Sequence, residues 1–202
     1  FNTSETKAAI VLLKKVGYES DIVTGYCCGE PAFVRGYKVE GLKQLKASLN
    51  RLREDIKSEK PVIFTSPSCL IPFLEHAGEL LSQEEEVDSK KIQNGFHEAV
   101  SFILEQMERI RAFSSAGTQR NFFKPVDLKI AVHIPCHLKV INKDRALISF
   151  VETLPVAETI KLKTKCCGFG GSRGFERKWA AHSDRIGQEL LDEIRLSKPH
   201  VI

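Results

Sequence analysis

The stretch TGYCCGEPAFVRGY (Thr24 to Tyr37) places two adjacent cysteines directly before a Gly-Glu-Pro turn. A second stretch, TKCCGFGGSRGF (Thr164 to Phe175), repeats this order later in the chain. The two pairs supply four of the six cysteines of the protein. The repetition of the Cys-Cys-Gly motif predicts that the chain consists of two halves with the same architecture. We expect the thiols to form the functional site of each half.

Composition places the protein among ordinary soluble globular domains. Its 202 residues are 42% hydrophobic and 28% charged, which allows one domain or two small ones. The net charge of +4 is mild, and Lys and Arg are interleaved with Asp and Glu, which argues against a nucleic-acid-binding stripe. No apolar run approaches the roughly 18 residues that a membrane span needs. The opening residues predict an amphipathic helix instead of a signal peptide.

The cysteine pattern indicates the kind of site. A disulfide between neighbouring residues closes a strained ring, and secreted disulfide frameworks are smaller and richer in cysteine. Inert buried thiols and a disulfide framework remain alternatives, but a metal or redox site explains two vicinal pairs better. We therefore expect a reducing, cytoplasmic setting.

Hydrophobic periodicity predicts the elements of the first half. Helices are expected near residues 4–16, 69–82 and 95–113, with a buried strand at 61–65 and an extended stretch at 18–26. A long amphipathic helix follows the first cysteine pair and is marked by apolar residues three or four apart, namely Val39, Leu42, Leu45, Leu49, Leu52 and Ile56.

A loop-like stretch over residues 114–127 predicts a boundary between two domains, 1–115 and 126–202. The second half then shows strands at 128–134 and 157–164, a helix at 144–154 and a strand that begins at His200. Its last long helix is marked by large residues that we expect to pack in the core: Phe175, Trp179, Ile186, Leu190 and Ile194.

Strands that alternate with helices predict an α/β protein with parallel sheets, in which sites form at the carboxyl ends of strands. All six cysteines fall at such strand ends. Cys136 precedes Cys166 by 30 positions (166 − 136), and Ser66 follows Cys28 by 38 (66 − 28), with Cys69 three further on. If both halves follow the same order, the first half lacks a cysteine about 30 positions before its pair, and the second half lacks a turn about 38 positions after its pair. We therefore expect this chain to be part of a longer protein.

Thiolates are soft ligands that suit zinc or iron–sulfur clusters. Structural zinc usually lies between compact knuckles of two nearby cysteines, which a vicinal pair forms poorly because its side chains diverge. Such a pair can bind different irons of one cluster, so the spacing favours iron–sulfur over zinc. Gly29 and Gly168 would let the backbone approach the cofactor and offer N–H groups to sulfur.

Two histidines, His133 and His137, flank Cys136. We expect them to orient the strand-end turn or to hydrogen-bond to cluster sulfur, with a role in proton transfer as the alternative.

These motifs resemble those of the cysteine-rich CCG domain family, over essentially all of the chain. The resemblance rests on CCGEPAFVRG (27–36), FTSPSC (64–69), HIPCH (133–137) and CCGFGGSRGFERKW (166–179). That family includes heterodisulfide reductase subunits, the iron–sulfur subunits of glycolate and lactate oxidases, and the C subunits of anaerobic glycerol-3-phosphate dehydrogenases. The chain is most similar to the last branch. Ser66 departs from the full pattern, since it stands where the closing pair has its first cysteine.

The resemblance implies two pseudo-symmetric Rossmann-like halves with parallel sheets, each with one CCG motif and one cluster. The implied clusters are of the 4Fe–4S type, which is non-cubane in heterodisulfide reductases. Their ligands map onto the six cysteines, Cys27, Cys28, Cys69, Cys136, Cys166 and Cys167. Four thiolates are the usual complement, so we expect this stretch to hold no intact cluster unless a residue such as His137 or Ser66 completes a site.

The function that the resemblance implies is that of the iron–sulfur subunit of an oxidoreductase. Electrons would come from a flavoprotein dehydrogenase subunit, which alone carries FAD, and pass towards a membrane quinone. The donor would be glycerol 3-phosphate or a 2-hydroxy acid. The implied setting is cytoplasmic, either free or peripheral on the inner face of the cell membrane. The alternatives are a heterodisulfide or thiol–disulfide reductase with the cluster as active site, and a zinc-stabilised binding module.

Overall fold

The computed structural model of the protein describes residues 3–78, 80–81, 89–113, 121–163 and 166–202. The chain divides into two compact units, Phe1–Phe102 and Ile103–Ile202. Each unit holds one Cys-Cys-Gly motif and one parallel two-stranded sheet, which confirms the predicted α/β architecture of two repeated halves.

The first half of the predicted interdomain loop, residues 114–120, lies outside the described residues. The expected domain limits, 1–115 and 126–202, therefore stay a prediction.

The first unit opens with helix α1 (Thr3–Lys15), which ends before Gly17, a residue in the left-handed conformation (φ 96°). Residues 18–26, predicted to be extended, form no strand. A short helix, α2 (Glu30–Phe33), follows the first cysteine pair. The predicted amphipathic helix is α3 (Lys38–Lys57), and Leu45, Leu49 and Leu52 of its apolar face are buried as the periodicity predicts. Val39 departs from the prediction, because it lies in the first turn of the helix and is 84% exposed.

Strand β1 (Val62–Phe64) pairs in parallel with β2 (Phe96–Glu98). Helix α4 (Pro67–Pro72) begins directly beyond the carboxyl end of β1 and continues into a π-helical turn (Phe73–Ala77). Helix α5 (Ser89–Asn94) precedes β2. The turn after β1 therefore places Cys69 where the parallel-sheet prediction expects a site.

Strand β2 corrects the prediction of one helix over residues 95–113. The strand takes the first residues, and helix α6 (Ala99–Phe113) begins only after it. The carboxylate of Glu98 accepts hydrogen bonds from the backbone N–H groups of Val100 (3.0 Å) and Ser101 (2.8 Å), as an N-cap does. The apolar spacing runs through both elements, so periodicity alone missed the boundary.

In the second unit, β3 (Val126–Val132) pairs in parallel with β4 (Val156–Lys161). The predicted turn after β3 is the short helix α7 (Cys136–Val140), and the helix predicted at 144–154 is α8 (Asp144–Glu152). The predicted strand at His200 is a single bridge between Val201 and Ile130.

After the second cysteine pair come a 3₁₀ turn (Arg173–Phe175) and the long helix α9 (Ala180–Ser197). A small core joins β3, the residue after β4 and α9 through Ala131, Leu162 and Leu190, with Ile160, Cys167 and Ile194 packed against them. The expectation that Phe175, Trp179 and Ile186 pack in the core is wrong, because they are 79%, 40% and 39% exposed. Phe175 and Trp179 precede α9, and Ile186 lies on its exposed side.

The long helices α3 and α9 span 20 and 18 residues, and each follows one cysteine pair. Charged residues occur along both. Within the described ranges, no helix combines the length and the apolar character that crossing a membrane requires.

Candidate metal centre

The cysteines of the first unit come from two separate turns. Cys28 belongs to the CCG motif before α2, whereas Cys69 lies in the first turn of α4. Helix α2 packs against α4, and the structure brings the two sulfur atoms into hydrogen-bonding contact. Two turns that are distant in the sequence therefore share one thiol pair.

This contact divides the two thiols into a donor and an acceptor. The Cys28 thiol donates to Cys69 and, against the effect of burial, lowers the pKa of Cys69 to about 7, with a further hydrogen bond from the Ser66 hydroxyl. The same contact and burial raise the pKa of Cys28. The pair thus shares one proton near neutral pH, and a bound metal would displace that proton.

Two hydrogen bonds, one from a side chain and one from the backbone, hold the first cysteine pair in place. Cys27 is exposed and Cys28 is buried, so the two thiols have different surroundings. The Ser48 hydroxyl, on α3, donates to the carbonyl oxygen of Cys27 at 2.8 Å. The backbone N–H of Glu30 donates to the sulfur of Cys28.

Close packing against α3 requires a glycine at position 29. It has a φ of 85°, and a Cβ at this position would collide with the carbonyl oxygen of Gly41 and lie 2.9 Å from the Phe33 ring. The sequence interpretation assigned this glycine to the cofactor and missed its contact with the helix. Its part in cofactor binding stays a prediction.

The second unit repeats the arrangement with other partners. Cys136 opens α7, and its side chain hydrogen-bonds to that of Cys166. Burial raises the pKa of Cys136, and the sulfur atoms of Cys166 and Cys167 raise it further. The backbone N–H of Gly168 donates to the sulfur of Cys166 at 3.4 Å. The turn after β3 and the turn after β4 thus meet at a thiol pair.

Gly168 packs on α9 as Gly29 packs on α3. Its φ is 87°, and a Cβ here would collide with the carbonyl oxygen of Ser183 and lie 2.9 Å from the backbone nitrogen of Gly187. A Cβ on Gly187 would in turn lie 2.7 Å from the carbonyl oxygen of Cys167. Each CCG motif is therefore seated on the long helix that follows it.

The two histidines beside Cys136 differ in their surroundings. The Nε2 atom of His133 is buried and makes no hydrogen bond within the part of the chain that the structure describes, and burial lowers the pKa of this side chain. His137 lies in α7 and is partly buried. The cofactor role of His137 stays a prediction.

The donor atoms fit an iron–sulfur cluster in kind. Each unit supplies three thiols, and in each unit two thiols from different turns are in contact. Over the described residues, no three His, Cys, Asp or Glu side chains are grouped so that they could hold a single metal ion. The ligands of a cluster bind different irons and need not surround one point. The chemistry of the thiols therefore indicates a cluster site better than the grouping of ligands around a single ion does.

Sequence reasoning missed the small residues that seat the motifs, which are Gly41 and Ser48 on α3 and Ser183 and Gly187 on α9. A signal was present, because each helix carries small residues among large ones at spacings that return to one face. Such a stripe marks close approach of another backbone segment.

The chain is similar to curated proteins, among them the following two. The chain is 26% identical over 172 residues to the C subunit of the anaerobic glycerol-3-phosphate dehydrogenase of Escherichia coli (strain K12), and the match covers 85% of this chain and 40% of that protein. It is 29% identical over 199 residues to lactate utilization protein A of Bacillus subtilis (strain 168), with 96% and 75% covered. The chain thus spans less than half the length of the first relative. No solved structure gives a significant match.

The family model of the CCG cysteine-rich domain matches residues 2–73 and 130–202. These two stretches contain all six cysteines and make up more than half of the chain. The two matches correspond to the two motifs with which the sequence repeats itself. The protein belongs to the CCG cysteine-rich domain family.

Proposed function

We propose that this protein is the iron–sulfur electron-transfer component of an oxidoreductase. It accepts electrons from a flavoprotein dehydrogenase subunit and passes them towards a membrane quinone. The donor substrate is glycerol 3-phosphate or a 2-hydroxy acid such as lactate, in keeping with the names of its relatives. FAD belongs to the flavoprotein. The chain covers 40% of the first relative, so the activity and partners of the whole protein are part of the proposal.

The observation that carries the proposal is the meeting of thiols from separate turns, twice. Cys28 meets Cys69 in one unit, and Cys136 meets Cys166 in the other. Soft thiolates from several loops are what an iron–sulfur cluster requires of a protein. We assign all six cysteines as its ligands, three in each unit.

A bound cluster supplies one-electron redox chemistry, and the protein supplies position and tuning. Two backbone N–H groups, those of Glu30 and Gly168, donate to the sulfur atoms of Cys28 and Cys166. Hydrogen bonds to thiolate sulfur stabilise negative charge, so they favour the reduced state. Each donor lies two residues after its cysteine, and both units therefore tune one thiolate in the same way.

The proposed acceptor also sets the location. A protein that delivers electrons to a membrane quinone works at the membrane, and we place it on the inner, cytoplasmic face as a peripheral subunit. Six free thiols suit the reducing conditions of that compartment.

The contact between Cys28 and Cys69 favours a second candidate, a thiol–disulfide reductase. Disulfide exchange needs a thiolate beside a second thiol, and the lowered pKa of Cys69 provides one in the metal-free state. In that case a heterodisulfide would be the substrate, and the thiols or their cluster would be the active site.

The reoxidation rate of the protein separates the two candidates. Reconstituted protein is reduced anaerobically and mixed in a stopped-flow instrument with a soluble quinone analogue or with a low-molecular-weight disulfide. An electron carrier should be reoxidised far faster by the quinone. Turnover of the disulfide at enzymatic rates, of order 1 to 10³ per second, would establish the reductase instead.

A further inference from the structure

Ser66 occupies the N-cap position of α4 but does not act as a cap. Serine in this position usually accepts a hydrogen bond from a backbone N–H in the first turn. The Ser66 side chain makes no such bond. Its hydroxyl instead hydrogen-bonds to the sulfur of Cys69. The side chain therefore points towards the thiols and is not used by the helix.

The backbone fixes this arrangement. The N–H groups of Cys69 and Leu70 both donate to the carbonyl oxygen of Ser66, at 3.1 and 3.3 Å. This turn holds Ser66 and Cys69 three residues apart on one face, with both side chains partly buried beside the buried Leu70. The position of the hydroxyl is thus a property of the fold.

The hydroxyl extends the row of thiols in the first unit. Ser66 contacts Cys69, and Cys69 contacts Cys28, whose neighbour in the chain is Cys27. These residues provide one oxygen and three sulfur atoms. Three sulfur ligands leave a four-iron cluster one short of its usual complement, and the Ser66 hydroxyl is an oxygen donor in hydrogen-bonding contact with one of those sulfur atoms.

We propose that Ser66 is the fourth ligand of the iron–sulfur site in the first unit and binds iron through its side-chain oxygen. The inference rests on the proposed function, since it assumes a cluster on Cys27, Cys28 and Cys69. The iron–oxygen bond forms as the hydroxyl proton passes to solvent, and no iron changes oxidation state. An alkoxide is a harder ligand than a thiolate and stabilises oxidised iron, so this site should have a lower reduction potential than one with four thiolates.

The test isolates the first unit within the full chain. Cys136→Ala and Cys166→Ala remove two ligands of the second unit without adding an oxygen that could bind iron, while Cys167 stays because it packs against the core. In this background Ser66 is kept or changed to Ala or Cys. Ser68→Ala is the matched control, since it removes a hydroxyl from the same turn. Each variant is reconstituted anaerobically with iron and sulfide. Iron, acid-labile sulfide, reduction potential and the electron paramagnetic resonance spectrum are then measured.

With Ser66 or Ser66→Cys we expect about four irons in the site, and with Ser66→Ala about three. Ser66→Cys should raise the potential and change the spectrum, and Ser68→Ala should match the parent in all four measurements. Far-ultraviolet circular dichroism of the metal-free variants checks that Ser66→Ala still folds.

Three results would overturn the inference. If Ser66→Ala keeps the iron content of the parent, the hydroxyl is not a ligand, even when the potential shifts through loss of a hydrogen bond to Cys69. If the background chain holds no iron while the unsubstituted protein does, Ser66 completes no site and the function rests on the second unit. If the unsubstituted protein also holds no iron, the proposed function fails as well.

Discussion

The Cys28 thiol donates a hydrogen bond to Cys69, although α3 and β1 lie between them in the chain. The contact joins the CCG turn to the first turn of α4. It is the structural relationship from which the first site is built, and chemical modification of the metal-free protein can test it.

Mild oxidation of the metal-free protein should link Cys28 to Cys69. Their sulfur atoms are already in contact, so a disulfide between them requires less movement than one to the exposed Cys27. The measurement is mass spectrometry of a non-reducing digest. In Cys69→Ser the same digest should lose this cross-link. A dominant bond from Cys27 to Cys69 would contradict the arrangement.

Alkylation of Cys69 should depend on pH with a midpoint near 7. The hydrogen bond from Cys28 lowers the pKa of Cys69 to about 7, so the reactive thiolate is present above that pH and is lost as the pH falls through it. Iodoacetamide labelling of the metal-free protein, followed peptide by peptide, gives the profile. In Cys28→Ala the midpoint should move upward towards the ordinary range near 8.5. An unchanged midpoint would show that Cys28 does not stabilise the thiolate.

Substitution of the CCG glycines should destabilise the protein even when no metal is bound. Gly29→Ala combines a collision with α3 and an unfavourable positive φ, and we expect a loss of about 3 kcal/mol in the free energy of unfolding. Gly36 has the same φ of 85° but open space around it, so Gly36→Ala should cost only about 1 kcal/mol. Urea unfolding of the metal-free proteins measures both.

Equal costs for Gly29→Ala and Gly36→Ala would mean that the close approach to α3 is absent. In the second unit, Gly168→Ala and Gly170→Ala form the corresponding pair, since Gly170 also has a positive φ and nothing within 4 Å.

The two thiols of the second pair should differ in their structural role. Cys167 packs against the core of Ala131, Leu162 and Leu190, so a hydroxyl at this position should destabilise the metal-free protein by about 1 kcal/mol. Cys166→Ser should change this free energy little. The corresponding alanine substitutions, which leave no donor atom, should each remove the metal of the second unit. If the metal-free Cys166→Ser protein is the less stable of the two, the packing of Cys167 is not as described.

Sequence reasoning was strongest where the signal was local. Strand ends followed by cysteines predicted the turns of Cys69 and Cys136, because a parallel sheet gathers its carboxyl ends at one edge. Which member of the vicinal pair meets Cys69 was not predictable, since it depends on the seating of Gly29 against α3, a tertiary contact.

Helix periodicity failed where two elements share one apolar spacing. Phe96 lies in β2 although it continues the stripe of α6. Phe175 extends the stripe of α9 but lies in a 3₁₀ turn and faces solvent. In both cases hydrogen bonds decide the residue at which the helix begins, and the spacing of apolar residues does not encode them.

The most direct test of the central claim is the metal content of protein reconstituted anaerobically with iron and sulfide in the presence of zinc. If the paired thiol turns hold iron–sulfur clusters, the purified protein should contain iron and acid-labile sulfide in matching amounts, with broad visible absorption. Replacement of Cys28 and Cys166 together should abolish both. Stoichiometric zinc without sulfide would contradict the account and identify the sites as structural zinc centres.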